Sequence, residues 1–277
     1  MNQPATIEVT GLTVRHRRTV ALDALDLSLS PGVHGLLGPN GAGKTSLIRV
    51  LATVAAPASG RVELLGGDVG SHGERTEIRR RLGYLPQEFG YYPAFTVREF
   101  VAYVAWLKEV PADRAGAAVE RAVARVGLAD RIDARMKTLS GGMVRRAGIA
   151  QAIVNEPELL LLDEPTAGLD PEQRVDFRAL LRELGTEATV VVSTHLVEDV
   201  AAACTDVALI ESGVLAFRGT TAELAALGGE SADPGDSTTH AIERGYTAAL
   251  RAHRDRVAGG GGLGGDPAGQ RAKESLR

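Results

Sequence analysis

The sequence predicts an α/β protein with a parallel-sheet core, an antiparallel β subdomain beside it and an all-helical subdomain inserted into it. Three observations point there. GPNGAGKT (38–45) follows a short apolar run and opens an apolar helical pattern. LLLLDE (159–164) reads as a strand buried on both faces that ends in two acids. Between these strings, residues 88–157 lose the texture of strands and take apolar residues at helical spacing.

Taken in order, TIEVTGLTV (6–14) and LDALDLSLS (22–30) alternate as half-buried strands do, and Pro31-Gly32 supplies a turn. With RVELLGG (61–67) and RLGYLPQ (81–87), they suggest an antiparallel sheet beside the parallel core. VHGLL (33–37) is a short buried strand and SLIRVLATV (46–54) a helix. Thr96 and Glu99 form a capping box before VREFVAYVAWLKE. Pro111-Ala112-Asp113 opens a second helix that stops at Gly127, and a third follows Gly142 and ends near Pro157. After the LLLLDE strand, Asp170-Pro171 starts a helix to about Leu184, and TVVVS (189–193) is a strand. TDVALI (205–210) and GVLAFRG (213–219) make a turn-linked strand pair, and Thr220 with Glu223 caps a closing helix. The main domain is thus residues 1–228, with its helical subdomain at about 88–157. Residues 229–277 form a linker, a weakly amphipathic helix (HAIERGYTAALRAHRDRV) and a Gly-rich stretch, 258–270, whose composition predicts disorder.

A chain of 277 residues with 44% hydrophobic residues supports one large α/β domain with an inserted lobe. A net charge of −4 gives no basic excess, so nucleic acid is not expected as a partner. Cys204 is the one cysteine, which excludes a disulfide framework and suits a reducing compartment. The N-terminus lacks a signal-peptide pattern and no apolar run approaches 18 residues, so the chain is expected to be cytoplasmic.

GPNGAGKT fits the phosphate-binding loop G-x-x-x-x-G-K-[ST], formed by Gly38, Pro39, Asn40, Gly41, Ala42, Gly43, Lys44 and Thr45, with Ser46 beginning the helix. Glycines permit φ > 0, so backbone N–H groups converge on a phosphate, and the helix N-terminus adds partial positive charge. Lys44 reaches the outer phosphates, and the Thr45 hydroxyl is suited to Mg²⁺. Lysine is otherwise confined to Lys108, Lys137 and Lys273, so the match is not a product of composition. The core is therefore expected to be a P-loop NTPase.

In an open α/β sheet the end of LLLLDE lies where ligands bind. Asp163 there would hold Mg²⁺ through its water shell, and Glu164 would polarise an attacking water. The alternative is a strand ending in two solvated acids. LSGGM (139–143) contains no nucleophile. Ser140, Gly141 and Gly142 form either an anion cup at a helix N-terminus or a plain helix cap, and the two share one local geometry.

The phosphate loop, Gln87, LSGG, the Asp-Glu strand, GLD (168–170) and His195, in this order, resemble the ATP-binding subunit of ABC transporters over residues 4–228. The resemblance implies a head-to-tail dimer in which LSGG of one subunit caps the γ-phosphate of ATP on the other. It implies that Gln87 senses metal and water, that Asp170 lies at the dimer seam and that His195 touches the γ-phosphate. Asp170 also reads as an ordinary N-cap, His195 as a polar strand end and Gln87 as a loop amide. His16 stands where the family usually stacks an aromatic residue on adenine, and Met143 replaces the glutamine that often follows LSGG.

The wording LSGGMVRRAGIAQAI, LPQEFGYYPAFTVREF and DEPTAGLDPE resembles the branch serving exporters of drugs, antibiotics or other hydrophobic molecules. The expected protein is an ATPase with cofactors ATP and Mg²⁺, paired as a homodimer or with a second ATP-binding subunit. It would sit on the cytoplasmic face of the membrane through a separate permease chain. Tyr91, Tyr92, Pro93 and Phe95 belong to the helical lobe's core or to the groove that receives a permease helix. The competing readings are an importer subunit and a soluble ATPase of the same fold acting on ribosomes or DNA. A GTPase switch would want N-K-x-D, which the sequence lacks.

Overall fold

Two sheets clasp the helix that follows the phosphate loop. The computed structural model describes residues 6–229 and 237–260. The first sheet has the order β2-β1-β4-β5 and is antiparallel. It comprises β1 (Ile7–His16), β2 (Thr19–Leu29), β4 (Ser59–Leu64) and the short β5 (Gly67–Asp68). The second has the order β10-β9-β3-β8-β7-β6. In it β3 (Val33–Leu37), β6 (Leu82–Leu85), β7 (Leu159–Asp163), β8 (Thr189–Ser193) and β9 (Asp206–Glu211) run parallel. Only β10 (Val214–Thr220) is antiparallel, paired to β9 through the expected turn. RLGYLPQ, grouped above with the antiparallel pieces, instead forms β6 at the edge of the parallel core. Its register with β7 (Leu82 opposite Leu159) buries Leu82 and Leu85 on opposite faces.

Alternation along the central strands feeds two separate cores. Leu159, Leu161 and Val191 face helix α1 (Lys44–Leu51) and the antiparallel sheet. Leu160, Leu162, Val190 and Val192 face the other way, onto α5 (Gly141–Ile153) and α6 (Pro171–Glu187). Strand β7 is buried at all five positions, which explains its unbroken leucine run.

The inserted lobe is α3 (Val97–Leu107), α4 (Ala112–Arg125) and α5, packed on one another. The Thr96–Glu99 capping box is formed, and Gly127 adopts φ +69° where α4 stops. Two helices had no clear sequence signal. Helix α2 (His72–Arg81) buries only Ile78, so it carries no apolar stripe, and α7 (Val197–Ala203) spans seven residues. Helix α8 (Thr221–Leu227) starts with the predicted capping box.

Helix α9 (Thr238–Gly260) packs on α7, α8 and β10 and buries Ile242, Ala249 and Leu250. It runs to Gly260, three residues into the stretch expected to lack structure. The linker residues 230–236 and the Gly-rich residues 261–270 lie outside the described residues.

Candidate functional site

The C-terminal ends of β3, β8, β7 and β6 bring four of the singled-out segments to one sheet edge, the position at which open parallel sheets hold ligands. The loop 38–43 leaves β3 with Gly38, Gly41 and Gly43 at φ +153°, +81° and +111°. Gly43 has no substitute: a Cβ there would stand 2.5 Å from the Ala21 carbonyl oxygen, at a φ that L-residues avoid. It is also the N-cap of α1 and makes no side-chain cap, so the first N–H groups of that helix stay free for a ligand.

Lys44 is folded over its own loop, and Nζ donates to the carbonyls of Gly38 (2.6 Å) and Pro39 (3.1 Å). Burial pulls its pKa below the ordinary lysine value, while the Glu164 and Asp163 carboxylates pull the other way. Thr45 donates its hydroxyl hydrogen to Asp163 Oδ1 at 3.3 Å. Asp163 is 1% exposed, and burial raises its pKa. Its Oδ2 is buried outside any hydrogen bond of normal geometry, and the hydroxyl of Ser193, its register partner on β8, lies close enough to temper that rise. Hard oxygen donors with an unmet valence suit Mg²⁺, so Thr45 and Asp163 fit the cation proposed for them.

Glu164 follows β7 directly and adopts φ +48°, a left-handed conformation unusual for a side chain of its size. Its N–H still bonds to Ser193 O, so the turn away from the sheet begins at this residue. The turn swings the carboxylate towards His195, whose Nδ1 lies 3.1 Å from Oε1 and 3.0 Å from Oε2. The histidine is half exposed and the carboxylate almost buried.

His16, at the end of β1, lies with Nε2 2.9 Å from the Ser46 hydroxyl, so the residue at the expected adenine position borders the phosphate loop. Gln87 is exposed beyond β6, and its backbone carbonyl accepts from Arg145 Nη1 at 2.9 Å. Ser140 caps α5, its Oγ accepting from Met143 N–H at 3.3 Å, and Asp170 caps α6, accepting from Gln173 N–H at 2.9 Å. Ser140, Gly141 and Asp170 are exposed. Among the described residues their side-chain hydrogen bonds are these helix caps, and none reaches the phosphate loop. Gly142 is buried against the Gln173 amide, which must swing aside to admit a Cβ. Tyr92, Phe95, Tyr103 and Trp106 form one aromatic ribbon, on which Tyr92 and Trp106 are 60% and 70% exposed. Part of it borders a 710 Å³ groove between the lobe and α2.

Two groups had escaped notice. Asp199 on α7, 2% exposed, accepts from Thr166 Oγ1 (2.7 Å) and from Arg178 Nε and Nη2 (2.9 and 2.7 Å). It thereby joins the segment after Glu164 to the segment after His195. Arg145 on α5 is buried under the same edge. Neither lies in a local pattern, because their partners are distant in sequence.

Comparison with known proteins agrees with this geometry. The profile of the family described as ABC transporter matches residues 22–167. A daunorubicin resistance ATP-binding protein, DrrA3 of Streptomyces coeruleorubidus, is 38% identical over 230 residues, which is 82% of this chain and 72% of that one. The Nod factor export ATP-binding protein I of Burkholderia thailandensis is 37% identical over 76% of this chain and 69% of its own. Among solved structures, cbiO1 of Clostridium perfringens, described as part of the ABC transporter complex cbiONQ, superposes with a TM-score of 0.72 at 28% identity. The match covers 81% of this chain and 92% of that one.

Proposed function

The chain belongs to the ABC transporter family as an ATP-binding, ATP-hydrolysing subunit, and from that premise we propose that it powers export through a separate membrane permease. The names of its relatives, drug resistance in one and Nod factor export in another, support the direction of transport. The membership of cbiO1 in a multisubunit transporter supports a permease partner. No helix among the described residues is long and apolar enough to cross a membrane. We place the subunit on the cytoplasmic face, held there by the permease, with the aromatic ribbon and its groove as the contact.

One observation carries the chemistry: a carboxylate, Glu164, turned out of the sheet and pinned by His195, beside the phosphate loop and its lysine. Gly38 to Ser46 would hold the phosphates through backbone N–H groups and the N-terminus of α1. Lys44 would leave its own loop carbonyls for the outer phosphates and offset the charge that develops there. Glu164 would orient the attacking water, with His195 holding the carboxylate and facing the γ-phosphate. Bound Mg²⁺, held by Thr45 and Asp163 and sensed by Gln87, would neutralise charge on the phosphates. His16 would border the adenosine end.

Ser140, Gly141, Gly142 and Asp170 complete no site within the subunit that carries them. We assign them to a second subunit's nucleotide, in a homodimer or in a pair with another ATP-binding chain. Residues 1–228 form the ATP-binding domain in this reading.

The test is hydrolysis by the subunit reconstituted with its permease. Glu164→Gln should bind ATP as the parent does and turn over at least roughly 100-fold more slowly. Unchanged turnover removes Glu164 from this role.

A further inference from the structure

We propose that Arg145 is a positioning residue for hydrolysis: its guanidinium holds Glu164 in the left-handed backbone conformation and ties the LSGG helix to the loops carrying Gln87 and Glu164. Arg145 lies in the second turn of α5, five residues past Ser140, and is 6% exposed. Its Nε donates to Pro165 O (3.0 Å). Nη1 donates to Pro86 O (3.1 Å) and Gln87 O (2.9 Å), and Nη2 donates to Asp163 O (2.7 Å) and Glu164 O (2.6 Å). A guanidinium has five N–H donors in a fixed plane, so this set of partners uses its full capacity.

Every one of these partners is a backbone carbonyl oxygen, and none is a carboxylate. A buried cation with no carboxylate in direct contact is costly, although the Asp163 and Glu164 charges nearby offset part of that cost. An apolar side chain would spare that desolvation but strip the five carbonyls of this donor. What the cation supplies is convergence. The β7–β8 ladder ends at Asp163 and Ser193, so the carbonyls of Glu164 and Pro165 lie beyond its last rung. The left-handed Glu164 lets three consecutive carbonyls, 163 to 165, turn onto a single group. Such a backbone persists only where its surroundings over-determine it, and Arg145 does that here. The same group holds residues 86 and 87, so any tilt of the LSGG helix is transmitted to both loops.

The inference rests on Glu164 acting on the attacking water, so wild type and Glu164→Gln are measured alongside. Arg145→Lys keeps the charge but has three donors on a flexible stem and cannot span the five carbonyls. Displacement of the Glu164 carboxylate by about 1 Å is expected to lower kcat 10- to 100-fold in Arg145→Lys and Arg145→Gln. KM for ATP and the ATP-induced rise in melting temperature should stay within threefold and within a few degrees of wild type. Because Arg145 works through Glu164, adding Arg145→Lys to Glu164→Gln should lower single-turnover hydrolysis less than twofold further.

A wild-type kcat in Arg145→Lys overturns the proposal. So does full additivity in the double variant, or a loss of kcat matched by loss of ATP binding. If Arg145→Gln does not fold, Arg145→Lys and the double variant decide. If wild type does not hydrolyse ATP, or Glu164→Gln is as active as wild type, the functional reading itself fails. If those two controls behave and only the additivity test fails, Arg145 alone loses its assignment.

Discussion

Glu164 presents both carboxylate oxygens to a single imidazole nitrogen, His195 Nδ1, at 3.1 and 3.0 Å. An ionised carboxylate only accepts, so Nδ1 carries the hydrogen and Nε2 is left free. Asparagine places its amide nitrogen near the Nδ1 position, whereas glutamine reaches for that of Nε2. If the pairing orients Glu164, His195→Asn should retain more ATPase activity than His195→Gln or His195→Ala. The last two should fall roughly 10- to 100-fold in kcat. Equal rates in all three variants would separate the histidine from the carboxylate.

Asp163 should cost stability until a cation arrives. Its pKa is raised in the folded chain, so the folded state binds its proton more tightly than the unfolded state does. The ionised group therefore lowers stability at neutral pH. The cost disappears as pH falls through the raised value towards the ordinary 3.8. In buffer with chelator at pH 7, Asp163→Asn should melt a few degrees higher than wild type. That gap should close on acidification, and Asp163→Asn should lack the extra stabilisation that Mg²⁺ gives to ATP-bound wild type. Melting curves with and without the cation, between pH 4 and pH 7, check each part.

The buried Asp199 should be a structural keystone. Its removal leaves Arg178, only 20% exposed, without its 2.7 Å partner and frees the Thr166 hydroxyl. Asp199→Ala should cost about 2–4 kcal/mol in denaturant unfolding, well above a surface substitution.

Two adjacent glycines should differ in their sensitivity to an added methyl group. A Cβ on Gly141 meets open space, whereas one on Gly142 collides with the Gln173 amide. Gly141→Ala should leave the melting temperature unchanged and act on ATPase rate alone. Gly142→Ala should lower stability by no more than about 1 kcal/mol, because only the end of the flexible Gln173 side chain must move aside, and Gln173→Ala should relieve that loss. A double variant no more stable than Gly142→Ala would refute the collision.

Lys108 offers a pH test outside the site. Burial lowers its pKa to about 8, and Nζ donates to Arg79 O and Leu82 O. Between pH 8 and pH 10.5 the folded chain has released a proton that the unfolded chain still holds, so this group makes stability rise with pH there. In Lys108→Met that contribution to the slope should be missing from unfolding titrations.

Much of the molecule was readable because its features are local. The phosphate loop, the leucine run of β7 and the capping boxes at Thr96 and Thr220 each depend on residues a few positions apart. What escaped was non-local. Helix α2 gives one buried side chain to a core assembled elsewhere, and β6 joins its sheet only through pairing with a strand some 75 residues on. Nothing in LSGGMVRRAG distinguishes Arg145, buried under five carbonyls, from Arg146, which lies 3.7 Å from Asp176. Their different fates are set by the register of α5 against β7.

The inserted lobe meets α6 partly through Arg125 with Glu183 and Glu187 and Arg146 with Asp176, pairs whose acids remain largely in water. Such links are cheap to make and to exchange, unlike the aliphatic core that the lobe shares with α6 and β7 beneath them. When fuel is gripped or released, any swing of the lobe's rim should start at these pairs, while the shared core and the Arg145 anchor hold. Raising the ionic strength should loosen that swing long before it melts the frame.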